Sequence, residues 1–166
     1  MNNKTEANIL VETFESVRNL SKYYLSNLKG IDVYKKMTVD GKSFNSPYWI
    51  TAHLVWTEHN LLYLAMCGEK MDIQWLEKFS IGSEPPVEKD FPEYQVILAT
   101  LDEVHAKAMK LVGSLTNEQL DEPNALNFSF GGVNSRRAVI KHAIRHEPMH
   151  IGQISWYLKL NNVEMP

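Results

Sequence analysis

Residues 135–160, SRRAVIKHAIRHEPMHIGQISWYLKL, contain the pattern that decides the predicted fold. At about 100° per residue, five apolar side chains share one helical stripe on both sides of a proline: Ile140, Ile144, Ile151, Ile154 and Leu158. A helix broken at Pro148 would normally lose this common phase. The segment therefore predicts one helix from about Ser135 to about Leu160, with a kink or local bulge where Pro148 cannot donate to the Ile144 carbonyl.

The proline inside this helix requires a compensating gain elsewhere, because an interior proline costs about 3 kcal/mol of helix stability. Two explanations stay open at this point. Pro148 either sets the angle between the histidines on its two sides, or it accommodates a crowded core with no further role.

Three other long segments have helical periodicity, at about residues 5–28, 47–68 and 92–115. The predicted core faces of the first and third are Ile9, Phe14, Val17, Leu20, Tyr24 and Leu28, and Val96, Leu101, Val104, Ala108, Leu111 and Val112. Ser46 followed by Pro47 is typical of a helix start. A short helix is predicted at 72–79, and 39–47 is predicted to be a loop or turn. With no convincing strand pattern, the prediction is an all-α four-helix bundle forming a single domain over 1–166.

Charge and cysteine content exclude several classes of function. A formal charge of −3 gives no electrostatic basis for binding nucleic acid or a membrane surface. One cysteine, Cys67, allows neither an internal disulfide nor a cysteine-rich zinc site. The N-terminus has no signal-peptide pattern, and no window approaches the ~18 apolar residues of a membrane span. The expectation is a soluble, cytoplasmic protein.

The histidines suggest a metal site. His146 and His150 are spaced i, i+4, so that two imidazoles lie on one side of the last helix, and His142 continues the same row. On the second helix His53 lies at the edge of the buried face, which makes it the best third ligand. His59 is predicted to face solvent and His105 has no histidine partner at helical spacing, so both are expected to be bystanders. The alternative for each histidine is a structural, hydrogen-bonded residue; His142 is expected on the solvated flank or behind the ligands.

The H-E-x-x-H pattern at residues 146–150 also matches the zinc helix of metallopeptidases. Such enzymes need a third ligand after the motif, and Glu164 is the only downstream glutamate. Glu147 lies near the middle of the apolar stripe, where a hydrogen-bonded core carboxylate is expected rather than a general base. The peptidase is therefore the least favoured interpretation.

The segments TAHLVWTE (51–58) and HEPMHIGQI (146–154) resemble the DinB-like superfamily, which includes the YfiT-type metal-dependent proteins. The resemblance covers nearly the whole chain. It implies a four-helix bundle with a long connection between helices 2 and 3, a homodimer, and a divalent-metal triad at His53, His146 and His150. Pro148 and Met149 depart from the family pattern, which often has a small residue and a second histidine there.

Members of that superfamily with a known activity use the ion in thiol chemistry, so the resemblance implies a thiol-dependent S-transferase or isomerase, or a hydrolase. The expected cofactor is one zinc or nickel ion, and the expected partner a small-molecule substrate or low-molecular-weight thiol. Three neutral imidazoles leave such an ion its full charge and open coordination positions. The alternative is a non-catalytic, metal-stabilised dimeric binding or stress-related protein. The sequence identifies no general base; Arg145, Gln153, His142, Trp49 and Trp56 are expected near the same end of the bundle.

Overall fold

A computed structural model describes residues 4–83 and 91–164 of the chain. Its order of elements is α1 (Glu6–Ser26), β1 (Met37–Val39), β2 (Lys42–Phe44), α2 (Pro47–Glu58), a π-helical segment (His59–Leu64), α3 (Ala65–Cys67), a 3-10 turn (Leu76–Phe79), α4 (Tyr94–Gly113), α5 (Asn117–Asp121) and α6 (Arg136–Leu160). The fold is mostly helical, as predicted. Helix α1 packs against α6 and α4, while α2 packs against α4 and α6. Among the described residues, no helix combines the length and the apolar character needed to cross a bilayer.

Helix α1 begins where the Thr5 side chain accepts the Asn8 N–H, but its buried face differs from the prediction. Ile9 and Leu20 are exposed. The buried positions are Ala7, Leu10, Phe14, Arg18, Ser21 and Leu25, which keep regular helical spacing. Two of these are polar, so apolar periodicity alone predicts the wrong phase for part of the helix.

Helix α4 shows a smaller error of the same kind. Val96 is exposed, and its neighbour Ile97 is fully buried beside Leu101 and Val104. Ile97, Leu101, Val104 and Ala108 follow the 4-3-4 spacing of a single helical face. The prediction that Val96 begins this buried face was therefore wrong by one residue.

Residues 37–44 form a β-hairpin, which overlaps the loop or turn predicted at 39–47. Met37 pairs with Phe44 and Val39 with Lys42 in an antiparallel register. Asp40 and Gly41 both have positive φ, at 48° and 72°, as a two-residue hairpin turn requires. The predicted turn is therefore present, and the two strands that flank it were not predicted, although Asp-Gly is a strong sequence signal for a hairpin.

Helix α2 is enclosed by the rest of the chain. The Ser46 side chain accepts the Trp49 N–H and Pro47 occupies the first turn, which confirms the predicted start. Apart from Trp56, every residue from Pro47 to Glu58 is buried, because α4, α6 and the 3-10 turn cover different sides of the helix. The predicted continuous helix to about residue 68 instead passes through a π-helical segment before α3.

Helix α6 runs without interruption through Pro148, which confirms the argument from phase. Ile140, Ile151, Ile154 and Leu158 are buried and Ile144 is half-buried, so the apolar stripe keeps one face on both sides of the proline. Pro148 itself lies on the exposed side of the helix.

Replacing Pro148 with alanine is expected to stabilise the metal-free protein by up to about 3 kcal/mol, because it restores a donor for the Ile144 carbonyl. Melting temperature in chelator measures the gain, and Met149→Ala, at the exposed neighbouring position, serves as a control with little expected effect. A parallel loss of metal affinity in the proline variant would show that Pro148 also aims His146 and His150. A melting temperature that does not rise would contradict the prediction.

Candidate metal centre

Helices α2 and α6 bring three histidines together: His53 from α2, and His146 and His150 from α6. One ring nitrogen from each can be chosen so that all three lie within 4.8 Å of one another. The Nε2 atoms of His146 and His150 are 3.2 Å apart. Two nitrogens bound tetrahedrally to one zinc ion lie about 3.3 Å apart, given bonds of about 2.0–2.1 Å. The α6 pair therefore already has the spacing that an ion requires.

The surroundings of His53 select which of its nitrogens can bind an ion. Its Nδ1 lies 2.7 Å from the carbonyl oxygen of Phe79, where it can only donate. Nε2 is thereby left unprotonated in the neutral ring, as is common for metal-binding histidines. The Thr57 hydroxyl lies 3.3 Å from Nε2 and can donate to it.

Two tryptophans hold the His53 ring. Trp49 stacks on it with ring centroids 4.7 Å apart and an interplanar angle of 10°, and Trp56 stacks at 5.6 Å and 16°. Their indole N–H groups are anchored in turn, since Trp49 donates to Ser83 and Trp56 to Glu77. These rings fix the orientation of the imidazole and exclude water from it.

The three histidines are neutral near pH 7, the form that binds metal. Burial, followed by the charges of neighbouring histidines, lowers the pKa of His146 to about 3. Burial and the charge of His53 lower the pKa of His150 to about 4, although Gln153 and Glu147 oppose the shift. Burial also lowers the pKa of His53. The donor set, its spacing and its protonation thus fit a metal ion.

His59 does not face solvent, contrary to the prediction. It is 1% exposed, and its Nε2 accepts the backbone N–H of Met71 at 3.0 Å. The chain after α3 folds back over the side of the π-helical segment on which His59 lies, a side that would otherwise face solvent. His59 does not belong to the three-histidine cluster.

Glu147 belongs to a largely buried charge network next to the histidines, and the sequence did not predict its other members. Arg18 Nε and Nη2 donate to the two carboxylate oxygens of Glu147, at 2.9 and 2.8 Å, and Nη2 also contacts Glu58 at 2.6 Å. His105 Nδ1 lies 2.7 Å from the other oxygen of Glu58, and its Nε2 lies 3.2 Å from a carboxylate oxygen of Glu15. The network links α1, α2, α4 and α6.

Glu147 was predicted to be a core carboxylate, and this is confirmed: it is buried with both oxygens bound by Arg18. A carboxylate held in this way is not free to activate metal-bound water. The peptidase interpretation is therefore weakened further. Arg18 could have been found as the one charged position in the helical stripe of α1.

His105 is expected to make stability depend on pH. Burial disfavours the charged form of His105, and the charge of Arg18 acts in the same direction. The hydrogen bond and charge of Glu58, together with the hydrogen bond of Glu15, outweigh both and raise the pKa of His105. Because the pKa of His105 is higher in the folded than in the unfolded protein, protonation of His105 stabilises the fold. This contribution is complete below the unfolded pKa of about 6.5 and disappears as pH rises through the folded pKa.

The difference in unfolding free energy between wild type and His105→Gln is therefore expected to be largest near pH 5.5 and to shrink toward pH 9. Urea denaturation in chelator measures it. A difference that grows with pH would contradict the sign of this linkage.

His142 lies at the rim beside the cluster. Its ring stacks on Phe130 with centroids 3.7 Å apart, and its Nδ1 accepts from the guanidinium of Arg145. The ring centroid is 5.6 Å from that of His146. Its half-buried position agrees with the predicted place on the flank.

Comparison with known families agrees with this geometry. The sequence profile of the DinB superfamily matches residues 13–154, which include all three clustered histidines. The chain belongs to the DinB superfamily. This membership confirms the resemblance carried by TAHLVWTE and HEPMHIGQI, both of which lie inside the matched region. No curated protein matches the chain. In this DinB superfamily protein, the candidate metal centre lies where two long helices, α2 and α6, meet.

Proposed function

We propose that this DinB superfamily protein is a metal-dependent enzyme that holds one divalent ion through His53, His146 and His150. The observation that carries the proposal is the convergence of three neutral imidazoles from two helices within 4.8 Å. The hydrogen bond from His53 to Phe79 supports it, because it leaves Nε2 unprotonated, the form in which a ring nitrogen can bind an ion. Zinc and nickel both suit an all-imidazole site.

The proposed site is open to an exogenous ligand. Glu147 is engaged by Arg18, and Nδ1 of His142 accepts from Arg145, so neither is arranged as a fourth ligand. When bound, a divalent ion with three neutral ligands lowers the pKa of a thiol or water molecule in its open positions. Stacking by Trp49 and Trp56 keeps the His53 side of the site dry.

The reaction we propose is thiol-dependent S-transfer or isomerisation, with hydrolysis as the related reaction of bound water. The partners are a small-molecule substrate and a low-molecular-weight thiol. We further propose a four-helix bundle of α1, α2, α4 and α6, with the long connection between α2 and α4, and a homodimer. The pairwise packing of these helices supports the bundle; the dimer is an expectation from the family.

An S-transfer assay with the metal-loaded protein tests the proposed activity. Bacillithiol, mycothiol and glutathione are each offered with 1-chloro-2,4-dinitrobenzene, whose chloride is displaced by the thiol sulfur. Metal-dependent turnover above the chelator-treated control is expected with one of these thiols. Metal binding that raises the melting temperature with no turnover for any thiol, and no ester hydrolysis, would favour the non-catalytic, metal-stabilised alternative.

A further inference from the structure

An apolar groove lies between the β-hairpin and the C-terminal half of α6. It is lined by Met37, Val39, Phe44, Asn45, Gln153, Trp156, Tyr157 and Leu160, and its volume is about 350 Å³. That size is in the range of pockets that hold small molecules. Trp156 and Leu160 are 66% and 54% exposed, which is unusual for large apolar side chains next to one another.

The groove continues the face of α6 that presents the metal ligands. Spacings of four, three, four and three residues keep a row of side chains on one side of a helix. On α6 this row consists of His146, His150, Gln153, Tyr157 and Leu160. At 1.5 Å per residue, Gln153 and Tyr157 lie about 5 and 10 Å along the axis from His150. A molecule of modest length can therefore reach both the histidines and the groove.

The lining specifies the chemistry of the occupant. The rings of Phe44, Trp156 and Tyr157 and the aliphatic chains around them offer apolar contact, and the Tyr157 hydroxyl is already donated to the Asp32 carbonyl at 2.8 Å. Of the described residues that line the groove, none is charged. Gln153 supplies a polar amide at the end nearest the histidines.

We infer that this groove binds the apolar, uncharged part of the enzyme's small-molecule substrate, an aromatic ring or a short alkyl chain, while the reacting end lies at the three histidines. The inference rests on the proposed function for the position of the reacting end. The preference of the groove for apolar, uncharged groups follows from its lining alone.

Two naphthyl probes test the inference separately from the metal. The compound 2-methylnaphthalene has no metal-binding group, and 2-naphthalenethiol carries the same ring with a thiol; 2-mercaptoethanol has the thiol without the ring. Fluorescence titration, or calorimetry for the last compound, gives each affinity with and without zinc. The metal-loaded protein is expected to bind 2-naphthalenethiol about tenfold or more tightly than 2-mercaptoethanol, because burial of the ring adds to binding.

The variant Leu160→Lys places a charge at the far end of the groove, and Leu20→Lys makes the same change at a comparably exposed leucine of α1. Leu160→Lys is expected to weaken both naphthyl probes about tenfold and to leave zinc stoichiometry and 2-mercaptoethanol affinity unchanged. Leu20→Lys is expected to change none of these.

The outcomes separate the two proposals. If wild type binds no zinc but Leu160→Lys still weakens 2-methylnaphthalene, the metal proposal fails and the groove remains. If zinc binds but 2-methylnaphthalene has equal affinity for wild type and Leu160→Lys, the groove inference is overturned. Sedimentation that shows Leu160→Lys converting a dimer to a monomer would also overturn it, by assigning the groove to a second copy of the chain.

Discussion

Replacing Arg18 with methionine is expected to lower the free energy of unfolding by about 3–5 kcal/mol, because it leaves two buried carboxylates without their cation. Arg18 is fully buried and contacts Glu147 with two donors and Glu58 with one. Methionine fills a similar length with an apolar chain, so the loss reflects the missing charge and hydrogen bonds rather than a cavity. For a chain of this size the melting temperature should fall by roughly 6–20 °C.

Lys22→Met on the same helix is the matched control. Lys22 pairs with Asp102 at 2.9 Å, but both side chains are about half exposed. Solvent-exposed pairs contribute about 0–1 kcal/mol, so the control should be nearly neutral. Denaturation of both variants in chelator measures the two changes in the free energy of unfolding. An Arg18→Met variant as stable as Lys22→Met would mean that the two glutamates do not depend on Arg18.

Replacing His150 with alanine is expected to reduce bound zinc from about one ion per chain to none after dialysis. His150 supplies one of three converging nitrogens, and its Nε2 lies 3.2 Å from that of His146. Two remaining ligands on separate helices cannot retain the ion against dilution. Wild type should also gain about 2.7 kcal/mol of stability at a zinc concentration 100 times its dissociation constant, a gain that the variant should lack.

The control for this experiment must respect the burial of His59. His59→Gln keeps an acceptor for the Met71 N–H, which alanine would remove. Elemental analysis is expected to find full zinc occupancy in His59→Gln and none in His150→Ala. If both variants lost zinc equally, the loss would be explained by general destabilisation, and the assignment of the ligands would be wrong.

The sequence by itself determined most of helix α6 and the pair of candidate ligands that it carries. Apolar residues on both sides of Pro148 share one phase, and that phase depends only on the helical repeat. The i, i+4 spacing of His146 and His150 follows from the same repeat. The Asp-Gly turn of the hairpin was equally local, and the sequence could have predicted the two strands that flank it.

Only the tertiary structure decided which other polar residues are buried. Arg18 and His105 are far apart in the chain, and each is stable in the core only because glutamates from other helices meet it there. His59 is enclosed because a later segment folds across the start of the π-helical segment. Periodicity describes one helix at a time, whereas the burial of a charge depends on partners that come from elsewhere in the chain. For this reason the histidine pair and the core position of Glu147 could be predicted from the sequence, whereas the partners that hold the Glu147 carboxylate could not.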